Sequence, residues 1–272
     1  MKLPTLFISH GAPTFALEPG RLGPLLGRLG RTLPRPRAIV VLSPHWMSRR
    51  LEVSSSPRPE TVHDFGGFPR ELYALQYPAP GAPGVAAEVI AQLARHGLTA
   101  VANDHNGLDH GAWVPLLHMY PDADIPVIQL SQPASPSPLA LLELGQALAP
   151  LREQGILIVA SGSITHNLYE FRMADKGEPY AQAFVDWVWQ RIEDGELGEL
   201  LDYRSKAPSA VRAHPTDEHF LPLYFAIGAA GEDWRAATRL DGGVTYGVLS
   251  MDSFVFGARL ALDATAPQPA LA

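Results

Sequence analysis

Not one of the 272 residues is cysteine. Disulfides, thiolate ligands and a cysteine nucleophile are excluded together, so any metal has to be held by histidine and carboxylate. Long apolar runs are missing as well. None reaches the roughly 20 residues of a membrane-spanning helix, and the start, MKLPTLFISHGAP, turns polar too early for a signal peptide. Basic runs are also absent. With 21 Lys and Arg against 28 Asp and Glu, the formal charge is −7, which argues against a nucleic-acid surface and against attraction to anionic membranes. No Gly-rich phosphate loop stands between a strand and a helix, and no G-x-S-x-G nucleophile elbow is present. These exclusions leave a protein expected in the cytoplasm, with neither nucleic acid nor membrane as partner.

What remains is a core and a rhythm. A hydrophobic content of 46% and a charged content of 18% suit a packed domain, and this length fits one large α/β unit better than two. Short β-branched runs at 3–9, 37–43, 51–56, 98–103, 124–131, 155–162, 244–250 and 252–258 read as strands. Longer Ala/Leu segments at 21–30, 81–97, 137–155, 178–195 and 218–231 read as helices, with Gly97, Gly155 and Gly231 as left-handed stops. The aromatic-punctuated stretch over 54–84 reads as an ordered loop over a crevice, the rival being a Pro/Gly linker. A single domain is expected over 1–260, with a flexible tail over 261–272.

Three of the ten histidines fall where predicted strands stop: His10 after LPTLFIS, His45 after AIVVLSP and His166 after GILIVASGSIT. In an open α/β sheet those strand ends form the crevice where ligands bind. For one histidine the ordinary alternative is a hydrogen-bonded core residue; matched strand ends need that coincidence several times. His219, in HPTDEHFLPL at the start of a predicted helix, supplies another imidazole. Together they point to a mononuclear metal site at the C-terminal ends of strands. Glu218 is an alternative third ligand, giving two histidines and one carboxylate, or else a first-turn acidic residue of a helix capped by Thr216. His166 is either a fourth ligand or an acid/base beside an open metal position. His110, heading LDHGAWVPL, is a further functional candidate, with Asp109 able to orient a neighbouring ring. His63, Phe65 and Tyr77 of the long loop are candidate substrate contacts. His214 is a candidate supporting group and His96 a helix-end residue. Ser43 and Ser163 stand near histidines but carry little as nucleophiles.

The blocks ISHGAP, VLSPHW, HDFGGFP–ELY–YPAPG, DHGAWVPL, SGSITHNL and HPTDEHFLPL resemble, in this order, the class III extradiol ring-opening dioxygenases. The resemblance is nearest to their DOPA-dioxygenase-like branch and runs from about Leu3 to Phe256. It implies a single α/β domain with a central mixed sheet flanked by helices. It further implies one non-haem metal on His10, His45 and His219, with His166 as acid/base and His110 on the substrate side. Fe(II) is the ion expected for ring cleavage and Zn(II) a possible occupant. The implied activity joins O2 to a small, DOPA-like catechol and gives a muconic semialdehyde. Arg70, Arg172, Arg204 and Arg212 are candidate partners for a substrate carboxylate. A zinc hydrolase or lyase on the same cage, or a binding protein on the same fold, are the competing functions. A monomer or a small homo-oligomer is expected.

Overall fold

The continuous Val/Ile/Leu runs become buried strands and the longer Ala/Leu segments become helices over them. The computed structural model describes residues 2–174 and 176–262. Its strands are β1 (Thr5–Ser9), β2 (Ala38–Ser48), β3 (Leu51–Ser54), β4 (Ala100–Asn103), β5 (Val127–Pro133), β6 (Ile156–Gly162), β7 (Ala237–Leu240), β8 (Val244–Thr245), β9 (Leu249–Ser250) and β10 (Ser253–Phe256). Its helices are α1 (Leu22–Thr32), α2 (Arg70–Ala74), α3 (Pro83–Arg95), α4 (His110–Met119), α5 (Pro138–Leu148), α6 (Pro179–Asp194), α7 (Leu197–Leu201), α8 (Tyr203–Lys206), α9 (Ala210–Ala213) and α10 (Pro222–Ala230).

One mixed sheet takes the order β4-β3-β5-β2-β6-β1-β10-β7. Its middle, β5-β2-β6-β1, is parallel, and β10 and β7 extend it antiparallel. Parallel strands are covered on both faces, so both sets of alternating side chains are apolar. Phe7, Val40 and Leu42 face the core built with α3, α5, α6 and α10, while Leu6, Ile8, Ile39 and Val41 face the core built with α1 and α4. The parallel neighbours β2, β6 and β1 end on the same edge of the sheet, and that edge carries the chemistry.

Several boundaries differ from the sequence reading. β2 does not stop before His45 but runs to Ser48, through a register shift between Ser43 and Met47. Pro44 has no N–H to give the ladder, so the chain bulges there and resumes. The expected helix from Glu218 begins only at Pro222, and its cap position is Leu221, not Thr216. The expected strand 244–250 is a small hairpin, β8 and β9, turned at Tyr246 and Gly247 with φ of +50° and +75°. β7 and the short helices α7–α9 had no counterpart in the reading. Gly97, Gly155 and Gly231 all take positive φ, though Gly231, with ψ of −141°, lies outside the left-handed helical region. The tail expected to be flexible lies, from residue 263 on, outside the described residues. Among the described residues no helix is long and apolar enough to cross a membrane.

α10 is apolar all round because it is buried all round. It meets α5 backbone to backbone: a Cβ on Gly228 would fall 2.0 Å from the Leu142 carbonyl oxygen, and one on Gly145 would fall 2.2 Å from that of Phe225. Gly228→Ala therefore has to push two helices apart, and a loss of about 1–3 kcal/mol is expected in urea unfolding. Gly84→Ala, in the exposed first turn of α3 with nothing within 4 Å, should instead be neutral or slightly stabilising.

Candidate active site

Five segments converge at the strand-end edge. His10 follows β1 directly, and its N–H bonds the Gly162 carbonyl at 3.0 Å. His45 rides the bulge of β2. His166 comes four residues past β6, its N–H on the Ala213 carbonyl at 2.9 Å. His219 is seated on the end of β6, where its carbonyl accepts the Ser163 N–H at 2.8 Å. Gly162 permits this approach, since a Cβ there would lie 2.3 Å from the His219 carbonyl oxygen. His110 opens α4, which Asp109 caps by accepting the Ala112 N–H at 3.1 Å. Gly111 lets that helix start abut the bulge, because a Cβ would meet Ser43 Oγ at 2.5 Å and His45 Cδ2 at 3.1 Å.

Five imidazoles thus form one cluster. His10 Nε2 lies 3.1 Å from His45 Nε2, which lies 3.4 Å from His219 Nε2. Ring centroids of His45 and His110 are 4.0 Å apart, and His166 stacks flat on His219 at 3.6 Å. His10, His45 and His110 offer ligand atoms within 4.8 Å of one another, and so do His166, Glu218 and His219. Two nitrogens sharing one ion at about 2.0–2.1 Å stand roughly 2.9–3.4 Å apart. The donor set therefore fits a metal.

The outward nitrogens are already spoken for. Ser161 Oγ donates to the Gly111 carbonyl at 2.5 Å, so its lone pair takes the His10 Nδ1–H at 2.8 Å. His219 Nδ1 donates to Glu218 Oε1 at 3.0 Å, and His110 Nδ1 to Asp64 Oδ2 at 2.9 Å. His45 Nδ1 faces the same Asp64 oxygen at 3.4 Å. With Nδ1 protonated, each ring presents an Nε2 lone pair inward.

Burial, reinforced by neighbouring imidazoles, favours the neutral form of His10, His45, His166 and His219. It holds His10 and His219 well below the ordinary histidine value and pushes His45 down to about 3 and His166 to about 4. Neutral imidazole is the form that ligates. Burial would raise the Asp64 carboxyl, but the hydrogen bonds it accepts from His110 outweigh it and hold the group low.

The remaining expectations divide. Phe65 stands edge-on to His110 at 5.6 Å. His63 packs against Phe65, Tyr73 and Trp113 and gives Nε2 to the Leu75 carbonyl at 3.0 Å, so it belongs to the loop's own aromatic cluster. Tyr77 is a correction. It is fully buried in the core beneath α4, its hydroxyl donating to the Tyr120 carbonyl at 3.0 Å, because a loop that returns to the sheet needs an apolar anchor. Among the described residues Asp109 is paired with no imidazole; it accepts from Ser43, Gln129 and the helix start. Ser43 and Ser163 donate to Asp109 and to the Thr165 carbonyl, so neither forms a Ser–His pair. His214 is buried among Phe184 and Phe220 and bonds the Ile164 carbonyl at 2.7 Å. Arg204 is engaged by the carbonyls of His214 and Pro215, Arg212 by Glu170 and Arg172 by Glu178, whereas Arg70 is exposed at the start of α2. Asp64 and Ser161 were missed by the sequence reading.

Residues 26–255 match the family described as the catalytic LigB subunit of aromatic ring-opening dioxygenase, a span holding every histidine of the cluster except His10. The chain is 40% identical over 264 residues to the 4,5-DOPA dioxygenase extradiol of Escherichia coli strain K12, covering 94% of this chain and 95% of that one. It is 42% identical over 252 residues to the 4,5-DOPA dioxygenase extradiol of Beta vulgaris, covering 89% and 94%. The crystal structure of an uncharacterized protein from Escherichia coli K12 superposes with a TM-score of 0.79 at 34% identity, covering 94% of this chain and all of the other. This chain belongs to the LigB family of aromatic ring-opening dioxygenases and is an extradiol dioxygenase.

Proposed function

We propose that this enzyme opens the ring of a small, DOPA-like catechol with O2, next to rather than between the hydroxylated carbons, to give a muconic semialdehyde. We assign one non-haem metal, Fe(II) in the working enzyme, to His10, His45 and His219. The observation that carries the assignment is the Nε2 spacing of 3.1 and 3.4 Å, with every Nδ1 directed onto an acceptor outside the cage. When bound, Fe(II) would supply Lewis acidity toward the catechol hydroxyls and electron exchange with O2, whereas Zn(II) would supply the first alone. Glu218 then orients His219 through Nδ1 and is not itself a ligand.

The other two imidazoles act on the substrate. His110, held by Asp64, turns its Nε2 lone pair inward as an acceptor for a catechol hydroxyl. His166 stacks on His219, and no neighbouring carboxylate or hydroxyl is paired with its ring among the described residues. It is free to take a hydroxyl proton at a ring nitrogen and to return it later in the reaction. Phe65 supplies an apolar wall beside His110 that keeps water from the ring.

Oxygen uptake by the Fe(II)-loaded enzyme across a catechol panel including DOPA tests the reading. Stoichiometric uptake with a yellow product is expected. No uptake despite full Fe(II) occupancy would overturn it. His166→Ala should keep its metal and lose turnover by about 10²–10⁴, the usual worth of a general acid–base group. Loss of metal from that variant would instead make His166 a fourth ligand beside His10, His45 and His219, in keeping with its grouping next to His219.

A further inference from the structure

Ser161 and Glu218 each serve one imidazole of the cluster, but Asp64 serves two. Its Oδ2 accepts from His110 Nδ1 at 2.9 Å and faces His45 Nδ1 at 3.4 Å. Its Oδ1 accepts the backbone N–H of His110 at 2.9 Å. That N–H is one of the donors an α-helix leaves unpaired in its first turn, so His110 holds the carboxylate by main chain and side chain at once. The segment bearing Asp64 is equally fixed. Val62 N–H bonds the Leu108 carbonyl and Leu108 N–H the Glu60 carbonyl, each at 2.8 Å, and Trp113 Nε1–H bonds the Val62 carbonyl at 3.0 Å. Gly107 allows this pairing, since a Cβ there would fall 2.5 Å from the Glu60 carbonyl oxygen. Asp64 is therefore built onto the start of α4 rather than hung from a loose loop.

We propose that Asp64 is a positioning residue that fixes the tautomers of His45 and His110 together, coupling the metal-holding side of the site to its substrate side. This rests on the assignment of His45 as a ligand and of His110 as the substrate-side ring. A neutral imidazole carries its proton on one nitrogen only, so a carboxylate at Nδ1 forces the lone pair onto Nε2. For His45 that lone pair is the ligand atom. For His110 it makes the ring an acceptor toward a substrate hydroxyl. Rotation of the carboxylate would disturb both rings in one movement, because their centroids are only 4.0 Å apart.

Asp64→Asn is the discriminating change. The carboxylate meets three N–H groups; the amide of the variant has one acceptor oxygen and a donor NH2, so at least one N–H is opposed whichever way the amide turns. Histidine tautomers are read by nitrogen NMR on the ¹⁵N-histidine-labelled full chain, metal-free and zinc-loaded. Zinc affinity is read by chelator competition. The wild type is expected to show the Nδ1–H tautomer at His110. Asp64→Asn should lose that signature and bind zinc about 10–100-fold more weakly. Its metal-free melting temperature should stay close to the wild-type value, which a purely structural role would lower. An Nε2–H tautomer at His110 in the wild type overturns the proposal without any variant. So does an Asp64→Asn protein with wild-type tautomer and zinc affinity. If His45→Ala binds zinc normally, the ligand assignment has failed instead, and the His110 tautomer still reports on Asp64 independently.

Discussion

His45→Ala is expected to leave a folded chain that no longer retains metal and takes up no O2 with any catechol. His45 is the middle member of the Nε2 series, 3.1 Å from His10 and 3.4 Å from His219. Its removal breaks both contacts and leaves two of the three assigned donors. The fold should tolerate this. His45 sits on a bulge outside the β2–β5 ladder, and crowding His10, His45, His166 and His219 in a space whose burial disfavours their charged forms is a cost to the metal-free protein. The metal-free variant should therefore melt no lower than the metal-free wild type. The contrast appears on adding zinc. A ligand at 100 times its Kd stabilises by about 2.7 kcal/mol, worth roughly 5–11 °C in Tm for a domain of this size. The wild type should show that rise and His45→Ala should not. A full zinc shift in the variant would move the cage elsewhere, with His110 the natural substitute because it groups with His10.

The parts of this site that were legible are those with a local signature. A β-branched run ending in histidine can be read from a dozen residues, and the edge rule for parallel strands turns three such endings into one place. The adjacency of β2, β6 and β1, which makes that place small enough for one ion, depends on sheet order, and no local pattern encodes it. Pro44 carried the signal for a bulge but equally suits a strand end, which is why β2 seemed to stop short of His45. Asp64 and Ser161 were invisible for a different reason. A carboxylate after His63 and a serine inside a strand are ordinary residues until α4 brings its first turn between them, with Asp64 on His110 and Ser161 on the Gly111 carbonyl. Tyr77 erred the other way. An aromatic in a polar loop reads as a pocket wall, yet this one anchors the loop in the core. The four-residue β7, ATRL, is too short and too polar to show a period.

The largest loss of stability from a residue outside the site is expected at Arg152. It lies in the 3-10 turn after α5 and is only 1% exposed, which is rare for arginine. Its guanidinium closes the C-terminal end of α10: Nη1 donates to the carbonyls of Ala229 and Ala230 at 3.2 and 2.6 Å, and Nε donates to that of Leu3 at 2.6 Å. Asp233 lies 3.8 Å away as counter-charge. These are helix-end carbonyls that have no intrahelical partner, and a cation there also suits the helix dipole. Arg152→Ala leaves three acceptors unpaired beside a cavity the size of the lost side chain. Each buried unsatisfied group costs about 1–3 kcal/mol, and removing one partner of a buried charge network costs about 3–5 kcal/mol. A loss of about 4 kcal/mol takes a large share of the 5–15 kcal/mol typical of a domain and should lower Tm by roughly 8–16 °C. Arg152→Lys should recover only part of this, since one ammonium on a single stem cannot span carbonyls from both the segment before β1 and α10. Because α10 follows directly on the turn that seats His219, metal affinity measured well below the melting transition decides how far that damage travels. Unchanged zinc binding in Arg152→Ala is the expected result, for His219 is fixed to β6 through its own carbonyl and not through the far end of the helix.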